Sequence, residues 1–330
     1  MTNQTINIIR KATEKRPEKY NILTFPTHER YETQLCKTGH NFYAFSSEGQ
    51  KEWDTSYAEI PDNYYVLPKN AIYQGIAYDF ILSQSKFGQF QLSSEIRQRL
   101  HIPVISLEHT LPIPDWPQGQ KDSMRLMTGD INVFISGFSR DKWSITDDNT
   151  HVIHHSVDSE LFRPLKTEKS PYVLSVVNDF VNRDYCCNYL GWQRITEGLD
   201  TRLVGSTEGL SEPAGSVEEL AEEYNKCQVF LNTSTISPVP TTLLEAMSCG
   251  CAVVTTATCM IPEIIKNGQN GFMSNDEAEL RSYIEQLLSD KDLRDGLGEE
   301  ARKTVLNHFS QDDFINNWNK TFDRTYEVSK

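Results

Sequence analysis

Short runs of apolar, β-branched residues recur along the whole 330-residue chain, separated by stretches whose apolar residues fall at helical spacing. This alternation constrains the fold more than any other feature, because it leaves parallel sheets covered by helices as the economical way to bury both element types. In the first half, strands are expected at residues 21–27, 41–45, 64–67, 79–83, 104–108 and 132–136. Leu92, Ile96 and Leu100 predict a helix over 91–100, and Pro103 stands just ahead of a strand, where its missing donor costs little. In the second half, strands are expected at 172–177, 201–204, 229–232 and 252–256, with helices over 217–226, 242–247, 277–289, 299–308 and 311–323. A chain of this length makes about two domains. The expected class is α/β: two doubly wound Rossmann-like domains facing across a cleft, with ligands beyond the carboxyl ends of the strands. The boundaries are expected at 1–155 and 156–311, with a last helix over 312–330 crossing back to the first domain. That helix carries Phe314, Ile315, Trp318 and Phe322 on one face, which suits a docked brace.

Charge narrows the partners. The net charge is −14, and it is uneven: residues 1–150 hold 16 Lys/Arg against 18 Asp/Glu, and residues 151–330 hold 16 against 28. Such acidity argues against nonspecific coating of nucleic acid or anionic membrane. No apolar run approaches the roughly 18 residues that span a bilayer, and the first twenty residues lack the apolar core of a secretory signal. A cytoplasmic location without integral membrane association is therefore expected. The seven cysteines show no zinc-ligand spacing and are expected to be buried, reduced thiols. Asp147, Asp148 and Asn149 read as a turn and not as metal ligands, so no metal site is expected.

The chemistry is concentrated in residues 237–271, SPVPTTLLEAMSCGCAVVTTATCMIPEIIKNGQNG. Pro238 and Pro240 stiffen a loop, and a helix starts at Thr241 or Thr242, where free backbone N–H groups and the helix dipole favour a phosphate or diphosphate. One turn on, Glu245 is an acceptor suited to paired ribose hydroxyls, expected to face the cleft. On this segment alone, a capped helix packed on a strand explains the residues as well as a nucleotide site does.

The segment resembles the nucleotide-sugar motif of family 4 glycosyltransferases, the retaining enzymes of GT-B fold. Residues 134–140 (FISGFSR), 157–164 (VDSELFRP) and the set Pro262, Glu263, Ile264, Asn270 and Gly271 continue the likeness in the family's order. The resemblance implies a sugar transfer from a nucleotide diphosphate donor to a hydroxyl acceptor, with the donor as substrate and neither cofactor nor metal required. It makes Glu245 the second glutamate of a paired motif that holds the donor ribose. Ser237 stands where the first glutamate would be. It aligns Asn178 and Arg183 with the family's basic pair against the diphosphate, so that one cation is lost and Arg183 remains as the catalytic candidate. An ion pair with Asp179 or Asp184 is the plain alternative for Arg183.

The resemblance also makes His109, in ISLEHTLP, the histidine of the acceptor-side domain that faces the sugar. Further acceptor-side candidates follow strand ends: Thr27, His28 and Glu29 after the first, Gln84, Ser85 and Lys86 after the fourth. PTHERYE replaces the glycine-rich loop many relatives carry there, which marks a specialised acceptor. The acceptor is expected to be a glycan or polysaccharide, or hydroxymethylated bases of phage-type DNA. In the DNA case Arg10, Lys11, Lys15, Arg16 and Lys19, with Arg30, Lys37 and Lys86, would meet the phosphates. A non-catalytic nucleotide-sugar binder and a nucleotide-sugar epimerase of the same architecture are the rival functions.

Overall fold

The computed structural model describes residues 16–55 and 57–328. The chain forms two compact units, one comprising residues up to His154 together with Asp312 onward, the other His155–Gln311.

In the first unit the strands are β1 (Asn21–Thr24), β2 (Asn41–Ala44), β3 (Tyr64–Val66), β4 (Phe80–Ser83), β5 (Val104–Glu108), β6 (Ile131–Phe134) and β7 (Thr150–Val152). Helices α1 (Glu29–Cys36), α2 (Gln89–Leu100), α3 (Gln118–Arg125) and α4 (Gly137–Trp143) lie between them. The sheet runs in the order β3-β2-β1-β4-β5-β6-β7 and every pairing is parallel. The order reverses between β1 and β4, which makes their carboxyl ends the switch point where open sheets bind ligands. Side chains alternate across the sheet. Ile22, Phe80, Leu82, Ile105 and Leu107 face one apolar layer; Leu23, Ile81 and Val104 face another, which includes Ile96 and Leu100 of α2.

The second unit contains β8 (Ser170–Val176), β9 (Thr201–Val204), β10 (Cys227–Asn232), β11 (Ala252–Thr255) and β12 (Phe272–Met273). Its helices are α5 (Asp184–Cys187), α6 (Tyr189–Thr196), α7 (Val217–Lys226), α8 (Thr241–Ser248), α9 (Ile261–Ile264), α10 (Glu277–Ser289) and α11 (Lys291–His308). This sheet is also parallel, in the order β12-β11-β10-β8-β9, so its switch point lies between β8 and β10. Two glycines permit the closest approaches. A Cβ on Gly205 would come within 2.1 Å of the Val177 carbonyl oxygen, and one on Gly298 within 2.2 Å of that of Gly250. The second contact seats α11 against the end of α8.

The last helix, α12 (Gln311–Val328), belongs to the first unit, where Phe314, Trp318, Phe322 and Tyr326 complete the apolar layer around Ile22 and Phe80. Trp318 is fully buried and its Nε1 donates to the Tyr31 hydroxyl at 3.1 Å. All seven cysteines are free thiols, six of them buried. The turn at Asp147 is closed by the Asn149 N–H donating to Asp147 Oδ1 at 2.9 Å.

Candidate functional site

The second unit gathers its site residues at the β8/β10 switch point. After β8 the chain turns through Asn178 and Asp179, the latter at φ 51°. Asn178 is exposed and its Oδ1 accepts from the Ser206 N–H at 2.9 Å, which ties this turn to the end of β9. Arg183 is exposed, with Nη1 directed at the Asn178 carbonyl at 3.4 Å. Among the described residues it makes no ion pair: Asp179 accepts instead from Asn182, and Asp184 from the Leu190 N–H. The loop after β10 is fastened to the same place. The N–H groups of Thr235 and Ile236 both donate to the Cys186 carbonyl, at 2.8 and 3.2 Å, and the Thr233 hydroxyl donates to that of Cys187 at 2.8 Å.

From this loop Ser237, half-buried, leads through Pro238 and Pro240 into α8. Pro240 occupies the N-cap in an extended conformation, and no side chain caps the helix. Thr241 is exposed and Thr242 half-buried. Their N–H groups are among those that a helix start leaves without an intrahelical acceptor, at the positive end of the dipole. Glu245 departs from the expected open carboxylate: it is only 6% exposed, and Oε2 accepts from the buried Tyr224 hydroxyl at 2.8 Å. The residue therefore helps to hold α8 to α7, whatever it also binds.

In the first unit, the ends of β1, β4 and β5 converge. His28 caps α1 in an extended conformation without a side-chain cap bond. Its ring lies edge-on to that of His109, centroids 4.8 Å apart, and the Tyr31 ring meets His109 at 4.7 Å. Burial and then the nearby Lys51 charge lower the His28 pKa, which favours the neutral ring. Two other acceptor-side candidates are corrected. Glu29 is buried and bound internally, with Oε2 2.7 Å from Lys51 Nζ and Oε1 accepting from the Asp54 N–H at 3.0 Å. Lys86 is 1% exposed; its ammonium donates to the Met127 carbonyl and lies 5.4 Å from the Trp143 ring. Desolvation lowers the Lys86 pKa to about 8. It follows a strand end, but its side chain folds under the loop.

Two of the basic residues nominated for DNA are engaged within the first unit. Lys86 is buried, and Arg16 is paired with Asp323. Arg10, Lys11 and Lys15 lie outside the described residues.

Sequence reasoning missed Glu32. It is 1% exposed on α1 and accepts from the Thr27 N–H at 2.8 Å, the Gln84 amide at 2.6 Å and the Tyr64 hydroxyl at 2.7 Å. Desolvation outweighs these bonds and pushes its carboxyl up to about 7. Its sequence signal was position: Tyr31, Leu35 and Cys36 are the apolar face of α1, and Glu32 stands within that face. Among the described residues no group of His, Cys, Asp or Glu could hold a metal ion, and no helix is long and apolar enough to cross a membrane.

Residues 213–304 match the family described as glycosyl transferases group 1. The chain is 29% identical over 106 residues to the N-acetyl-alpha-D-glucosaminyl L-malate synthase of Bacillus anthracis, which covers 32% of this chain and 28% of that protein. It is 28% identical over 118 residues to the alpha-maltose-1-phosphate synthase of Mycolicibacterium smegmatis, covering 33% and 29% respectively. The match thus spans 28–29% of the length of these curated relatives. Likeness of structure extends much further. Sucrose-phosphate synthase from Thermosynechococcus elongatus superposes with a TM-score of 0.75 at 13% identity, covering 94% of this chain and all of that one. The Anabaena protein HepE, in complex with UDP-glucose, gives 0.70 at 14% identity, covering 92% and 99%. At these identities the likeness establishes the fold, and the fold is GT-B.

Proposed function

We propose that this chain, which has the GT-B fold and carries a glycosyl transferases group 1 domain over residues 213–304, transfers a sugar from a nucleotide diphosphate donor to a hydroxyl acceptor with retention of anomeric configuration. What supports it is that an uncapped helix start after β10 and an exposed arginine after β8, with no ion-pair partner among the described residues, both follow strands that border the switch point. An anion bound there gains from the N–H groups of Thr241 and Thr242, from the helix dipole and from Arg183.

In this reading the donor diphosphate lies against Arg183 and the start of α8, with Glu245 toward the ribose. As the glycosidic bond breaks, its electron pair passes to the diphosphate, and the charge gained is stabilised by groups already in position. Asn178 brings no cation to that charge, and Ser237 offers a hydroxyl where a paired carboxylate would grip a sugar. Both departures tune the donor's sugar and turnover without removing the anion site. His109 and His28 present two rings on the acceptor side. HepE in its UDP-glucose complex shares this fold, which supports a nucleotide sugar as the ligand. The two curated relatives are named as synthases of a glucosaminyl malate and of a maltose phosphate, which favours a small or glycan hydroxyl over DNA. The burial of Lys86 and the pairing of Arg16 with Asp323 favour it too.

The test begins with a thermal-shift screen of uridine, guanosine and adenosine sugar nucleotides, since a ligand that binds only the folded state raises its melting temperature. The stabilising donor is then offered with neutral oligosaccharides, small hydroxy acids and hydroxymethylated duplex DNA, and the product anomer is read by NMR. A single preferred donor base and a retained product on a neutral acceptor are expected. Conversion to an isomeric nucleotide sugar without acceptor would make the chain an epimerase. Stabilisation with neither transfer nor hydrolysis would make it a binder, and no stabilisation by any donor would overturn the reading.

A further inference from the structure

The amide of Gln84 lies between the sheet and the His109 ring, and its orientation is determined by its surroundings. Its nitrogen faces three acceptors: Glu32 Oε1 at 2.6 Å, Thr24 Oγ1 at 3.2 Å and the Phe25 carbonyl at 3.2 Å. Thr24 Oγ1 gives its own proton to the Leu82 carbonyl, so toward Gln84 it can only accept. Glu32 Oε1 already accepts from the N–H groups of Thr27 and His28, so a proton on this carboxyl belongs on Oε2, and turning the amide over would set Gln84 Oε1 against three oxygens that offer it no donor. The Gln84 oxygen is therefore committed to the other side, where it lies 3.4 Å from His109 Nε2. An oxygen there requires a proton on Nε2, which in a neutral ring leaves the lone pair on Nδ1. Glu32 is held in turn: Thr27 and His28 donate their N–H groups to Oε1, and the Tyr64 hydroxyl donates to Oε2.

We propose that Glu32 and Gln84 are positioning residues that, through the relay Tyr64–Glu32–Gln84–His109, fix His109 as its Nε2–H tautomer and hold its ring toward the acceptor. The relay draws on the ends of β1, β4 and β5 and on β3, all within the first unit, and nothing in the sequence spacing announces it. Its bearing on catalysis rests on the transferase reading above. There, a proton on the wrong nitrogen turns an acceptor of hydrogen bonds into a donor, and the loss falls on transfer and not on nucleotide binding.

The experiment uses the full chain labelled with 15N-histidine, with long-range 1H–15N correlation spectra and His109 assigned by comparison with His109→Gln. Wild type is expected to show His109 with the proton on Nε2. Gln84→Met keeps the length of the side chain and removes the oriented oxygen; His109 should then become a mixture of tautomers. Turnover should fall about tenfold, the worth of one hydrogen bond, while donor affinity by calorimetry stays within about twofold. Glu32→Gln should act as the conservative rescue. The N–H groups of Thr27 and His28 orient its carbonyl oxygen toward Gln84, so the wild-type tautomer and most of the turnover should be kept. A wild-type His109 protonated on Nδ1 would overturn the proposal, and needs no variant to be seen. So would a folded Gln84→Met protein with the wild-type tautomer, or a Glu32→Gln protein that loses it. If no donor and acceptor pair reacts, the transferase reading fails, while the spectra still decide the relay.

Discussion

Glu245 ties α8 to α7, and this task can be separated from the proposed hold on the donor ribose. The carboxylate is 6% exposed and accepts a hydrogen bond, 2.8 Å long, from the hydroxyl of Tyr224, a residue that is itself fully buried. A hydrogen bond to a charged group contributes roughly 1.5–3 kcal/mol. Glu245→Ala would remove the acceptor of that buried hydroxyl's bond and mix a folding cost with any binding cost, so the informative pair is Glu245→Gln and Tyr224→Phe. Either change removes the charged bond between the two residues, so each is expected to lower unfolding free energy by about 1–2 kcal/mol in urea titrations. The double variant should lose less than the sum, because one interaction is deleted twice. Donor affinity must part company with stability. Tyr224→Phe leaves the carboxylate in place and should change the donor Kd by less than about twofold. Glu245→Gln should weaken donor binding by roughly ten- to a hundredfold, the equivalent of one charged hydrogen bond to the ribose. If both variants lose stability alike and both keep donor affinity by calorimetry, Glu245 is an internal tie between α7 and α8, and the ribose assignment is refuted.

Arg183→Ala should reduce turnover by more than it weakens donor binding, because leaving-group charge grows toward the transition state, and Arg183→Lys should recover part of the rate; equal kcat in wild type and the alanine variant would remove Arg183 from the mechanism. Trp318→Ala deletes a fully buried indole packed among Phe314 and Phe322 and its hydrogen bond to the Tyr31 hydroxyl, so a loss of roughly 3–5 kcal/mol is expected; an unchanged melting temperature would show that α12 is not a brace. Glu32 gives the first unit a pH dependence of definite sign. Its carboxyl is raised from 4.5 to about 7 on folding, so between these values the unfolded chain has already lost the proton that the native state retains, and stability falls as pH rises. Urea titrations should therefore show Glu32→Gln gaining on wild type by about 3 kcal/mol between pH 4.5 and pH 8, and a difference that does not change with pH would contradict it.

The second unit was legible in the sequence because its chemistry is local. The loop, the prolines, the helix start and Glu245 lie within nine residues of one another, and β8, β10 and β11 are apolar runs that read as buried strands. Where the reading of that unit fell short, a long-range contact was responsible. The helix expected from 299 begins at Lys291 as α11, since Gly296 and Gly298 suggest an interruption until Gly298 is seen to admit the Gly250 backbone. β12 has two residues and β7 three, too few to show a period. The acceptor side is different in kind. Helix α1, ERYETQLC, was not expected because its buried face includes two glutamates, and an acid reads as solvated until its partners are known. Those partners, Lys51, Tyr64 and Gln84, stand 22, 32 and 52 residues away and reach the helix only because β1 lies between β2 and β4. The same order explains the error over Lys86, whose charge is turned inward by Met127, 41 residues on. A phosphate can be recognised by one helix start, whereas the relay that sets the proton on His109 needs three strand ends and a fourth strand. Under the proposed transfer, the hold on the acceptor would therefore depend on the sheet order of the first unit, which no single stretch of sequence displays.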